Sequence, residues 1–218
     1  MQRIAQFRLN FLADFQEEYD CRNGSNDLST KGTAHPLFGY LCIGFAATTV
    51  PLYYLCARVI WTLRRLSCYK IMFVLSIADM CALSAGAFVF GIFLIRGEMY
   101  CNHPKMHFLH AGFAMFTFVT SCCACLILAL NRMFELIFPA SYDIIFKGTR
   151  TWVVLATSAL LPTYISLFTP LFFFNSNYHL MIVNPTIGND RYEYYNMFQF
   201  ITTSLMPCLS FLVYFSML

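Results

Sequence analysis

A carboxylate stands inside one of the most apolar stretches of the sequence. Asp79 is the only charged residue in "IMFVLSIADMCALSAGAFVFGIFLI", which covers residues 71–95. A charge at the centre of a membrane-spanning helix costs roughly 2.5–3.5 kcal/mol, so such a residue is expected to face other helices or water and to have a function. The hydroxyl groups that could pair with Asp79 belong to Ser76, Ser84 and Ser121.

Three histidines follow at helical spacing. His103, His107 and His110 lie four and three residues apart, which would place them on one face of a helix. Such a face could hold a metal ion. Amphipathic residues at a membrane interface are the more common reason for this pattern, and Pro104 interrupts the first two histidines. We therefore predict no metal site.

The sequence offers little for catalysis or for nucleic acid. It contains neither a Gly-x-Ser-x-Gly motif nor a P-loop. A membrane-bound iron hydroxylase would need several histidine clusters on the cytoplasmic side, and one cluster is present. We expect no enzymatic activity and no cofactor apart from a sodium ion considered below. The net charge of +3 is too small to indicate nucleic-acid binding.

The elements that must position these residues are membrane spans. The chain is 59% hydrophobic and 11% charged, whereas soluble domains carry about 25% charged residues. Five segments of 21 to 25 residues lack charge apart from Asp79, and about 20 residues cross a bilayer as a helix. They are Leu37–Ala57, Ile71–Ile95, Phe108–Leu130, Thr151–Phe174 and Tyr194–Leu218. We predict an all-α polytopic bundle over residues 37–218, preceded by a tail over residues 1–36.

Basic residues predict the orientation of this bundle. Lys and Arg accumulate in cytoplasmic loops. The loops after the first and third spans hold seven of them, and the loops after the second and fourth hold three. The first and third loops are therefore predicted to be cytoplasmic, and the amino-terminal tail extracellular. A glycosylation sequon at Asn23 lies in that tail.

Several motifs resemble rhodopsin-like G-protein-coupled receptors. "VLSIADM" (74–80) resembles the signature of their second helix, and "LALNRMFEL" (128–136) resembles their Glu/Asp-Arg-Tyr signature, with Asn131 in the acidic position. Cys101 precedes the third span, where these receptors carry a disulfide cysteine, and Pro207 lies in the fifth span, where they often have a helix-kinking proline.

The sequence resembles nematode chemosensory receptors more closely, in particular serpentine receptor class T. The resembling residues are "YDC" (19–21), "SCYKIMFVLSIADM" (67–80), "GEMYC" (97–101) and "LALNR" (128–132). The resemblance implies a chemosensory receptor of the plasma membrane, in a sensory cilium. Such a receptor binds an unknown small molecule among its helices and signals to a heterotrimeric G protein. The family has seven spans, so we expect this chain to be an incomplete receptor.

The resemblance also implies roles for single residues. The carboxylate at the position of Asp79 binds sodium in rhodopsin-like receptors, with Ser121 nearby here; the alternative is a protonated Asp79 hydrogen-bonded to a neighbouring helix. Asn131 and Arg132 would face the G protein, and the alternative for Arg132 is an interfacial arginine. The second outer loop, where the disulfide partner usually lies, has no cysteine.

The missing loop cysteine leads to a different pairing. The predicted orientation leaves Cys21 and Cys101 on the oxidising face, so we predict a Cys21–Cys101 disulfide. Two free thiols, or a bond to another chain, are the alternatives.

For the protein as a whole, the alternative is a transporter or channel subunit, which should show internal repeats with matched glycines or prolines. Pro162 and Pro170 in the fourth span have no matched half.

The orientation generates the first testable prediction. Because the tail is predicted to be extracellular, we expect a glycosidase-sensitive gel shift that disappears in Asn23→Gln. Arg64 and Arg65 are expected in the cytoplasm. Labelling of Arg65→Cys by a membrane-impermeant reagent on intact cells would contradict this topology.

Overall fold

A computed structural model describes residues 32–168, 171–175 and 180–182. Its three long helices are α1 (Pro36–Thr62), α2 (Ser67–Arg96) and α3 (Pro104–Ile137). Shorter helices follow, which we number α4 (Pro139–Ile145), α5 (Arg150–Ser158) and α6 (Leu160–Phe168). A two-stranded antiparallel hairpin joins β1 (Phe173–Asn175) to β2 (Leu180–Ile182).

The described helices are suited to a bilayer. The three long helices are each apolar enough to cross a membrane, and there is a fourth span if Pro139–Ile145 and Arg150–Leu167, bent by 74°, are taken together. Many large apolar side chains on these helices are exposed, as expected of surfaces that contact lipid rather than water. The predicted polytopic all-α bundle is therefore confirmed. The predicted fifth span, Tyr194–Leu218, lies outside the described residues.

The observed helices differ from the predicted spans at their ends. The first three extend beyond the predicted limits, because polar and basic residues at a helix end can reach the interface while the backbone stays helical. The predicted fourth span, Thr151–Phe174, was too long: its helical part ends at Phe168, and Phe173 and Phe174 belong to β1. Hydropathy alone does not distinguish a buried strand from the end of an apolar helix.

Helix α2 contains an irregular section and a defined stop. Residues Ser84–Val89 form a π-helical segment between two α-helical sections, Ser67–Leu83 and Phe90–Arg96. The helix ends at Gly97, whose left-handed backbone (φ 61°) lets the Glu98 N–H reach the Phe93 carbonyl oxygen at 3.0 Å. The His35 N–H donates to the Leu94 carbonyl oxygen at 2.9 Å, which joins the start of α1 to the end of α2.

Two glycines bring α1 and α2 into close contact. A Cβ atom built on Gly91 would lie 2.8 Å from the Gly39 carbonyl oxygen, and one on Gly39 would lie 2.7 Å from the Gly91 carbonyl oxygen. Both distances are too short for a side chain, so the two backbones touch directly. Small residues commonly allow such close approach between membrane helices.

This contact predicts a clear mutational asymmetry. Gly91→Ala should lower the free energy of unfolding by about 1–3 kcal/mol, because the added methyl group overpacks the contact. Gly44→Ala on α1 is the matched control: its Cβ would meet no atom within 4 Å. The control should be neutral or stabilising by roughly 0.5–1 kcal/mol, since alanine favours helix. Thermal unfolding in detergent measures both, and equal melting temperatures for the two variants would contradict the prediction.

Candidate functional site

An aromatic cluster lies where the end of α2, the start of α3 and the hairpin meet. We define it by Phe93, Tyr100, His107, Phe173 and Phe174. The ring centroids are 4.4 Å apart between Phe93 and His107, and 4.5 Å apart between Tyr100 and Phe173. Phe174 lies 5.7 Å from Phe93. These separations are typical of favourable aromatic pairs. Strand β1 therefore packs against the cluster through Phe173 and Phe174.

The three predicted histidines have different surroundings. His103 is exposed before the first turn of α3, His107 is fully buried, and His110 is partly buried. Among the described residues, no group of three His, Cys, Asp or Glu side chains is suited to hold a metal ion. The helical spacing therefore aligns two histidines with the ring of Phe93 and leaves the third outside.

His110 pairs with the irregular section of α2. Its Nε2 atom lies 3.0 Å from the Ala85 carbonyl oxygen, inside the π-helical segment. A carbonyl oxygen can only accept, so Nε2 carries the proton and His110 donates. The sequence does not reveal this π-helical segment, because Ser84–Val89 has the composition of an ordinary apolar helix. Such π-helical turns are frequent at functional sites.

Asp79 and Ser121 come together between α2 and α3. The Ser121 hydroxyl is the side-chain hydrogen-bonding group next to the Asp79 carboxyl group, although it lies outside strict hydrogen-bond geometry. The other two predicted hydroxyls turn to their own helix: Ser76 donates to Met72 and Ser84 donates to Met80, both at 2.8 Å. Of the three hydroxyl groups named from the sequence, that of Ser121 is therefore the one beside the Asp79 carboxyl group.

Arg132 lies near the carboxyl-terminal end of α3. The guanidinium group is half-exposed and donates to Glu135 Oε2 and to Cys68 Sγ, both at 3.0 Å. It therefore reaches the start of α2 while part of it stays accessible. Asn131, by contrast, is fully buried. It lies three residues after core Leu128, on the same face of the helix. A contact of Asn131 with the G protein stays a prediction.

A polar joint holds the Arg132 end together, and we name it the Ser67 joint. Ser67 Oγ and Thr151 Oγ1 both donate to the Phe146 carbonyl oxygen, at 2.9 and 2.6 Å. Tyr142 Oη lies 2.9 Å from Ser67 Oγ, and it donates because the Ser67 proton is already used. The joint fixes α4 and α5 to the start of α2. Ser67 begins the motif "SCYKIMFVLSIADM", but its hydrogen-bond partners lie more than 70 residues away in the sequence and could not be foreseen.

Only some of the remaining predicted site residues lie within the described part of the chain. Cys101 is disulfide-bonded. Cys42, Cys56, Cys68, Cys81, Cys122 and Cys123 are free thiols. Cys21 lies outside the described residues, so the Cys21–Cys101 pairing stays a prediction. Asn23 and Pro207 lie outside them as well.

The fold and these sites define a polytopic helical membrane protein with an aromatic cluster at the start of its third helix and Arg132 near the end of that helix. The profile of a known family, described as "Serpentine type 7TM GPCR chemoreceptor Srt", matches residues 6–218. The chain belongs to this family of seven-transmembrane chemoreceptors. The resemblance to nematode serpentine receptor class T is thereby confirmed. A comparison with curated proteins gives no match.

The surroundings of Asp79 generate a prediction that separates its two interpretations. Because Ser76 and Ser84 donate to their own helix, two of the three hydroxyl groups named from the sequence are already used, and we expect a hydrogen-bonded Asp79 rather than a sodium site. The melting temperature in sodium chloride should then equal that in choline chloride at the same ionic strength, for wild type and Asp79→Asn alike. A sodium-specific stabilisation that disappears in Asp79→Asn would establish the sodium site instead.

Proposed function

We propose that this chain acts as a chemosensory receptor that binds a small molecule among its helices and signals to a heterotrimeric G protein. The observation that carries the proposal is the family match over residues 6–218. It is supported by the placement of two candidate sites on one helix. The aromatic cluster lies at the start of α3, and Arg132 lies near its end.

Helix α3 gives the two sites a physical connection. Its 34 residues span about 50 Å at 1.5 Å per residue. A displacement at one end of an α-helix is transmitted along it, because each backbone hydrogen bond ties one turn to the next. Ligand binding at the aromatic cluster would thus bias the position of Arg132, where two elements meet through the Cys68 contact and the Ser67 joint.

The setting of this receptor is part of the proposal. We place the amino-terminal tail and the aromatic cluster outside the cell, and Arg132 and the Ser67 joint in the cytoplasm. This orientation follows from the distribution of Lys and Arg between the loops. The receptor would reside in the plasma membrane, in a sensory cilium, and would act by binding rather than by catalysis.

The proposal predicts a selective loss of signalling. In a receptor completed to seven spans, Arg132→Ala should reduce G-protein activation about tenfold or more, since a charge-assisted hydrogen bond contributes roughly 1.5–3 kcal/mol. Surface expression should stay near wild type, because the half-exposed pair with Glu135 contributes only a few tenths of a kcal/mol.

Arg65→Ala is the matched control. It removes the same charge from the same predicted side of the membrane, at an exposed position before α2. We expect it to signal like wild type. Equal loss of signalling in both variants would indicate a general effect of positive charge, and normal signalling by Arg132→Ala would contradict its predicted role.

A further inference from the structure

The most unusual side chain of the aromatic cluster is His107. It is 2% exposed, and neither of its ring nitrogens has a hydrogen-bond partner among the described residues. Buried polar groups in proteins are almost always paired, because an unpaired one loses its hydrogen bonds to water without replacement. A buried imidazole without a partner therefore indicates a position that a bound molecule completes.

The charge of His107 restricts what that molecule is. Burying a cation without an ion-pair partner is costly, so the imidazole is neutral. A neutral imidazole has one N–H donor and one nitrogen acceptor. A hydroxyl group can pair with either nitrogen, since it both donates and accepts. A carbonyl or an ether can pair only with the donor.

The neighbours of His107 restrict the rest of the molecule. Its ring lies 4.4 Å from Phe93 and 6.3 Å from Tyr100, and Phe173 packs against Tyr100 from strand β1. Aromatic walls favour an aromatic ligand through stacked and edge-to-face contacts. A buried water molecule is the simplest other occupant, but ordered waters typically need two to four polar partners. The rings that surround His107 offer few.

We propose that His107 is the polar anchor of a binding site for a small, uncharged aromatic molecule that carries a hydroxyl group, such as a phenol or an aryl alcohol. The inference rests on the proposed receptor function and names the class of its ligand. The aromatic ring of the ligand packs against Phe93 and Phe173, and its hydroxyl group pairs with a ring nitrogen of His107.

The neighbouring His110 gives this site a direct effect on α2. Both histidine rings contact Phe93, at 4.4 and 5.2 Å, and His110 donates to the π-helical segment at Ala85. A ligand that shifts Phe93 therefore also acts on the hydrogen bond that supports the irregular section of α2. Binding at His107 and a change in helix α2 are thus mechanically linked.

The test compares two probes that differ in one group. The chain, in lipid nanodiscs, is titrated with para-ethylphenol or with ethylbenzene, and unfolding is followed with a thiol-reactive dye that reports the free cysteines of the spans. We expect para-ethylphenol to raise the melting temperature of wild type more than ethylbenzene does at equal concentration. His107→Leu should lower the apparent affinity for para-ethylphenol about tenfold, which corresponds to the loss of one hydrogen bond.

Two further variants keep the test decisive. His107→Gln retains a donor and an acceptor and should keep part of the preference for the phenol. His103→Gln changes an exposed histidine at the same end of α3 and should keep all of it. If His107→Leu does not fold, the wild-type comparison and His107→Gln still decide. Equal shifts by the two probes in wild type would overturn the proposal and leave His107 with water only, and so would an unchanged preference in His107→Leu.

The experiment also separates this site from the receptor function. Binding in nanodiscs needs no G protein. Selective binding without signalling by the completed receptor would support the site and contradict the proposed receptor function. Signalling in response to other molecules, with no preference for the phenol at His107, would support the receptor function and contradict the site.

Discussion

The constraint on which this structure depends is that every backbone N–H and C=O group inside a bilayer must find a partner within the protein. A continuous α-helix satisfies this requirement by itself, which is why long helices make up most of the described chain. Each departure from regular helix is accompanied by a compensating contact. The π-helical segment receives His110 at the Ala85 carbonyl, and strand β1 pairs with β2.

The same requirement explains the Ser67 joint. Helix α4 ends between Ile145 and Phe146, and the last carbonyl groups of a helix have no partner within it. Ser67 and Thr151 take up the Phe146 oxygen, and the Arg150 guanidinium takes up the oxygens of Asp143 and Ile144. Contacts that satisfy the end of a short helix thereby connect α2, α4 and α5. A change at α4 must alter the position of α2, since the two share these hydrogen bonds.

The sequence predicted the structure correctly where the bilayer requires a spanning helix. The absence of charge over more than twenty residues predicted the spanning helices, because no soluble fold requires it. The prediction from sequence failed where a local contact determines the backbone conformation. The strand at Phe173 and Phe174 and the π-helical segment are both apolar, so composition could not separate them from helix. The burial of Asn131 could have been foreseen, since helical spacing places it with core Leu128 while Arg132 turns away.

His107 and Asn131 share a property that fully buried Thr117 of the same helix lacks. Each is fully buried on α3, and neither has a side-chain hydrogen bond within the described residues, whereas Thr117 donates to the carbonyl groups of its own helix. Unpaired groups near both ends of one helix raise the energy of this arrangement. An arrangement that pairs either group is favoured by roughly 1–3 kcal/mol for that group, which is the size of typical coupling between sites. Under the proposed receptor function, α3 is therefore the element whose position a bound ligand would change.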